Sequence, residues 1–130
     1  MLILDSIFKF YVDGITGVAA ANTTTAFDYR IASPLCIYGF ALIQQGASFG
    51  DYISLQIIDK DNILGYGANF IVSTIITKGY ADPNTTRIVD KSEYARTIPI
   101  GLYVRINYTN TALITSVNVA ANFFFVIPPS

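Results

Sequence analysis

The sequence predicts an all-β fold: a single domain over residues 1–130, built as an antiparallel β-sandwich of jelly-roll type with about eight strands. Two observations carry this. Apolar residues recur at every second position through much of the chain, and the runs are short, each ending in Gly, Pro, Asn or Asp with a defined backbone reason to turn. Only Asp90 to Ala95 has any helical character, and it is too short to change the class.

In chain order, residues 1–24 read as an N-terminal strand followed by a small-residue arm. The arm is Gly14 to Thr24, expected to be mobile in isolation. From Thr25 to Ile31, Phe27, Tyr29 and Ile31 alternate with Asp28 and Arg30. From Asp51, Ile53, Leu55 and Ile57 share one face. From Gly101, Leu102, Val104, Ile106 and Tyr108 oppose Tyr103, Arg105, Asn107 and Thr109. The stretches Leu35 to Ile43, Phe70 to Ile76 and Val117 to Ile127 are apolar on both faces, so they read as strands covered on both sides. Ser33-Pro34, Gln45-Gly46, Gly50-Asp51, Asp61-Asn62, Gly65-Tyr66-Gly67, Asp82-Pro83 and Pro99-Ile100-Gly101 punctuate them.

Composition narrows the function. Hydrophobic residues make up 52% of the chain and charged residues 13%, against about 25% charged in an ordinary soluble domain. Thr, Asn, Ser and nine Tyr must cover the surface instead, which is the composition of a contact surface. Self-association or docking on a larger assembly follows. A net charge of −1 with the eight Lys and Arg scattered offers no footprint for a phosphate backbone, so nucleic acid is not an expected partner. No apolar run is long enough to span a membrane, and the first residues lack a basic leader, so the expectation is synthesis in a cytoplasm. The lone Cys36, between Leu35 and Ile37, excludes an intrachain disulfide and reads as a buried, inert thiol.

Chemistry is poorly supplied. Histidine is absent, and with it the commonest general base and every Ser-His or Cys-His nucleophile. A carboxylate pair for glycan hydrolysis remains formally available among the acids, yet these lie mostly at turns. Asp59-Lys60-Asp61-Asn62-Ile63-Leu64-Gly65-Tyr66-Gly67 invites comparison with a calcium loop and fails it. An EF-hand needs an oxygen ligand at Ile63, Gly at Leu64 and an acid at Phe70. It reads better as a hairpin whose acids bond their own backbone, with Gly65 and Gly67 at positive φ. The sequons at Asn22, Asn84 and Asn107 mean little without a leader. Tyr66, Tyr80, Tyr94 and Tyr103 are candidates for a sugar-stacking platform. No catalytic residue, metal ligand or cofactor is assigned.

Phe27-Asp28-Tyr29-Arg30-Ile31, Tyr38-Gly39-Phe40-Ala41-Leu42-Ile43, Phe49-Gly50-Asp51 and the run from Leu55 to Gly67 are followed later by Gly101-Leu102-Tyr103-Val104-Arg105-Ile106-Asn107-Tyr108. Together these resemble small β-sandwich accessory virion proteins of tailed bacteriophages, over roughly Phe27 to Phe125. The resemblance implies a capsid decoration (cement) or head-fibre protein located in the virion. Its partners would be itself, as a trimer or other closed homo-oligomer, and a major capsid or other virion protein. The alternatives are the receptor- or carbohydrate-binding head of a fibre and, more remotely, a small carboxylate-based glycan hydrolase. For assembly, the residues expected at an interface are Ile7, Phe8, Phe10 and Tyr11 with Phe123, Phe124 and Phe125.

Overall fold

The computed structural model describes residues 9–48, 50–79, 86–91 and 97–127. They form nine strands: β1 (Lys9–Ala19), β2 (Thr23–Arg30), β3 (Leu35–Gln45), β4 (Tyr52–Asp59), β5 (Phe70–Gly79), β6 (Thr86–Lys91), β7 (Thr97–Ile98), β8 (Tyr103–Asn110) and β9 (Val117–Ile127). No helix occurs among the described residues. One sheet has the order β1-β9-β3-β6, with β7 paired to β3, and the other has the order β2-β8-β4-β5. Every pairing is antiparallel.

The pairings nest. β1 lies on β9, β2 on β8, β3 on β6 and β4 on β5, so the chain is one long hairpin rolled into two facing sheets, which is the jelly-roll arrangement. The two-residue β7 is the addition to the eight strands expected.

Alternation sets each strand's inner face. Val104, Ile106 and Tyr108 on β8 are fully buried, as are Ile53 and Leu55 on β4, while Ile57 is nearly so. Opposite them, β9 turns Val117, Val119, Ala121, Phe123 and Phe125 inward. Tyr29 of β2 lies 5.5 Å, ring centre to ring centre, from both Phe123 and Phe125, which ties the two sheets together. β3 looked apolar on both faces for a local reason. A bulge at Tyr38 shifts its phase, so that Leu35 and Ile37 point inward before it and Phe40 and Leu42 after it.

Two expectations are corrected. Gly14 to Ala19 is strand, not arm: β1 stays paired with β9 through Ala19↔Val117, and only residues 20–22 form the turn into β2. The small residues are packing devices. A side chain at Gly17 would strike the ring of Phe27, and one at Gly14 would strike the Ala121 carbonyl and the Asn122 amide. Cys36 is not core. It faces outward between the inward Leu35 and Ile37, partly exposed, with Sγ 3.2 Å from the Thr97 hydroxyl. The helical candidate at Asp90 begins in β6, and Ser92 to Ala95 lie outside the described residues.

Among the described residues the interior holds one uncompensated cost. Gln44 is fully buried, and neither its Nε2 nor its Oε1 has a hydrogen-bond partner. Stripping an amide of water without replacing its bonds costs about 1–3 kcal/mol. Gln44→Met, which keeps length and loses the polar atoms, is therefore expected to raise unfolding stability by about 1–3 kcal/mol in urea titration. A fall in the midpoint would show that the amide is satisfied in solution.

Candidate functional site

The two outer faces of the sandwich differ in chemistry. On the β2-β8-β4-β5 sheet, outward side chains bond one another. Arg105 donates from Nε and Nη2 to the two oxygens of Asp28, at 2.6 and 3.0 Å, and again from Nη2 to Asn69 at 3.0 Å. Lys60 reaches Asp28 at 3.1 Å and lies 5.2 Å from the ring centre of Tyr103, whose hydroxyl donates to Asp61. Asn107 donates to Ser54 and Gln56, Gln56 to Thr74, and the Thr24 and Thr109 hydroxyls are 2.9 Å apart. This is a cross-strand polar layer whose groups satisfy one another.

The outer face of the β1-β9-β3-β6 sheet carries almost no charge. Neither β3 nor β9 contains an ionisable acid or base apart from Cys36 and Tyr38. Register places their outward residues in rows across three strands. Val12, Phe124 and Gly39 form one row, Gly14, Asn122 and Ala41 the next, then Thr16, Ala120 and Ile43, and finally Val18, Asn118 and Gln45. Val12 and Val18 are more than half exposed and Ile43 is also exposed. Because the central strand carries only Ala120 between Thr16 and Ile43, the sheet surface sinks there into a shallow groove of about 420 Å³. Charge returns only at β6, where Arg87 and Lys91 hold the register positions opposite Ile43 and Gly39.

One end of the sandwich is braced by buried polar groups. Asp51, fully buried, accepts from the Ser48 amide, the Tyr108 hydroxyl, and both the amide and hydroxyl of Thr111, at 2.6–3.0 Å. Burial alone pushes its carboxyl up, but the Thr111, Ser48 and Tyr108 donors outweigh it and hold it below the usual carboxylate range. Asn110 does the same for the loop that follows, donating to the Ala19 and Thr115 carbonyls and accepting from the Ala112 amide. Between these anchors Leu113 and Ile114 stand 83% and 91% exposed.

The residues expected at an interface separate. Ile7 and Phe8 lie outside the described residues; Phe10 is placed in β1, opposite Val126. Phe123 and Phe125 are fully buried between the sheets, because their alternation turns them to the core, and so they have no surface to offer a neighbour. Phe124 lies on the uncharged outer face, partly exposed. Tyr11 sits at the sandwich rim, stacked on Phe125, and donates to Asp13, which also accepts from Tyr29 and from the Gly14 amide. These bonds, with the Gly14 amide first, hold the Asp13 carboxyl low, and burial together with the bonds to Tyr11 and Asp13 pushes the Tyr29 hydroxyl up.

Val12, Val18, Ile43 and Ala120 were missed. The signal was present for Ile43 and Ala120, since the strands β3 and β9 carry no Lys, Arg, Asp or Glu on either face, and weaker for Val12 and Val18, whose strand contains Lys9 and Asp13.

The Asp59 hairpin is structural. Asp59 accepts from the Ile63 and Leu64 amides, Asn62 accepts from the Gly67 amide, and Gly65 and Gly67 have φ of 90° and 119°. Among the described residues no group of three or more metal-ligating side chains is gathered. Tyr66 is 74% exposed, with its ring 4.9 Å from that of Phe70; Tyr103 belongs to the polar layer, and Tyr80 and Tyr94 lie outside the described residues.

No protein-family model and no curated protein sequence matches the chain. Solved structures do. A chain of the cyanophage Pam1 capsid asymmetric unit aligns with a TM-score of 0.50 at 15% identity, covering 93% of this chain and 85% of that one. The VP2 subviral particle of infectious bursal disease virus aligns with a TM-score of 0.45 at 15% identity, over 94% of this chain and 33% of that one. This chain thus spans a third of the length of that VP2. A CBM4 structure aligns with a TM-score of 0.45 at 9% identity, over 88% of this chain and 89% of that one. At these identities the likeness is one of fold, an all-β sandwich that capsid proteins share with other proteins.

Three carboxyls held low by their donors make the scaffold sensitive to acid in a defined direction. Burial favours the neutral form of Asp28, but Arg105 and Lys60 prevail and leave its carboxyl lowered, as at Asp13 and Asp51. Stability from a lowered carboxyl is present above its unfolded value of about 3.9 and is lost as pH falls through the folded value. Urea midpoints are therefore expected to drop as pH falls below about 4. Asp51→Asn should cost about 1–3 kcal/mol at neutral pH, since its amide nitrogen cannot accept, and should flatten the acid slope.

Proposed function

We propose that this protein is a structural subunit of a virus particle, an accessory of decoration or cement type in a tailed bacteriophage, acting by protein–protein assembly. The observation that carries the reading is the contrast between the two outer faces. One carries a layer of polar groups that bond one another across β2, β8 and β4, with Tyr52, Phe70, Ile71 and Val72 exposed toward its β5 edge; the other presents Val12, Val18, Ile43, Ala120 and Phe124 across its middle with almost no charge. A face of that kind is costly in water and favourable against another protein. The jelly-roll order, shared in fold with a chain of a cyanophage capsid, supports the same reading.

A second reading rests on Tyr66, which stands clear of the hairpin against Phe70 and offers a ring face for stacking on a sugar. It would make the chain the binding head of a fibre.

Two experiments separate these. Mass spectrometry of purified particles from the virus that carries the gene is expected to find the chain bound at many copies per particle, and its absence overturns the assembly reading. Val12→Asp with Val18→Asp, both more than half exposed, should leave the thermal transition near that of the wild type and abolish incorporation, whereas Phe123→Asp should abolish folding. Glycan-array binding that Tyr66→Ala removes, with incorporation unaffected by the outer-face variants, would favour the fibre head instead.

A further inference from the structure

Leu113 and Ile114 are adjacent, almost wholly in water, and not free to turn away from it. Thr111 fixes one side of their loop to Asp51 through two bonds of 2.8 and 2.6 Å. Asn110 spans the loop, holding the Ala112 amide at 2.9 Å and the Thr115 carbonyl at 2.9 Å. An apolar pair on a slack loop would collapse onto the sandwich. This pair is held out by buried polar groups, so the ordering cost of presenting it is met on folding and not on binding.

The same chain carries a receptor of matching chemistry. The groove over Ala120 is walled by Thr16, Val18 and Ile43 and ends at Gln45 and Asn118, none of them charged. It lies at the end of the sandwich that bears the loop, since Val18, Gln45 and Asn118 sit within a residue of the strand ends Ala19, Gln45 and Val117. Loop and groove thus lie at the same level along the strands, as a side-by-side contact between copies requires. A lipid surface is the weaker fit, because the described residues of 20–22, 46–51 and 111–116 include no Lys or Arg, and the cations near this end, Lys78 and Arg87, belong to the edge strands β5 and β6.

We propose that the chain self-associates through a knob and a hole: Leu113 and Ile114 of one copy seat in the Ala120 groove of the next. The proposal rests on reading the uncharged face as a contact surface, and it names the occupant of one part of that face. Knob and hole are different patches, so the contact is heterologous, and successive copies form a closed ring where the rotation closes.

The single native cysteine makes a direct test possible. In a Cys36→Ser background, Leu113→Cys protein is mixed with Ile43→Cys protein under mild oxidation, and Tyr66→Cys protein, altered at the opposite end, serves as the control. A mixed disulfide between Leu113→Cys and Ile43→Cys chains, in clear excess over the control pair, is expected; equal yields overturn the proposal.

Light scattering across a dilution series gives the second measure. Leu113→Asp with Ile114→Asp, both at exposed sites, should weaken self-association by roughly tenfold or more and leave the thermal transition unchanged. A wild-type chain that stays at 14.2 kDa at every concentration overturns the proposal too. If Val12→Asp with Val18→Asp disrupts assembly and the loop variant does not, the face is a contact surface and the knob is wrong.

Discussion

The structure depends on β9 being bonded along both edges. Eleven residues of β1 and nine positions of β3 pair with it, so its backbone donors and acceptors are satisfied without water. Its inner face supplies Phe123 and Phe125, around which Tyr29 of the opposite sheet packs. With both edges and the inner face committed, the outer face is the one place where its sequence was free to be polar. Three of its outward residues there are Ala120, Phe124 and Val126, beside Asn118 and Asn122.

Buried polar residues divide the labour with this apolar core. Asp51 and Asn110 lie among buried side chains at one end of the sandwich, and each is saturated by loop donors or acceptors. They convert two connections into fixed structure, and breaking either would strand several groups at once. Gln44 shows what the same burial costs without such partners.

Strands with one clean apolar face were legible from period two alone: Ile53, Leu55 and Ile57, then Val104, Ile106 and Tyr108, are buried where alternation put them. The hairpin at Asp59 was legible too, because Asp, Asn and Gly act there through their own backbone. Long-range packing was not. Gly14 and Gly17 look like arm residues until Phe27 and Asn122 are brought against them from elsewhere in the chain. The bulge at Tyr38 hid the phase of β3, and the run Phe123 to Phe125 concealed that two of its rings face the core and one faces out. Leu113-Ile114 drew no reading from the sequence. Only the bonds to Asp51 and Asn110 make it a projecting tip.

The distribution of charge also bears on the edges of the sheets. The outermost strands keep charges in their sequences: Arg87, Asp90 and Lys91 in β6, Asp28 and Arg30 in β2, Lys78 in β5. Charged residues on edge strands oppose addition of another strand, since a neighbour would have to strip them of water along the ladder. The remaining edge, β1, runs beside β2 of the opposite sheet, with Gly17 under the Phe27 ring. Strand addition is thus discouraged at the margins while the middle of one face is left without charge. In the proposed face-and-tip contact the geometry would be set by side-chain shape and not by a strand ladder, and whether copies close into a ring or run on as a filament would depend on the rotation between neighbours.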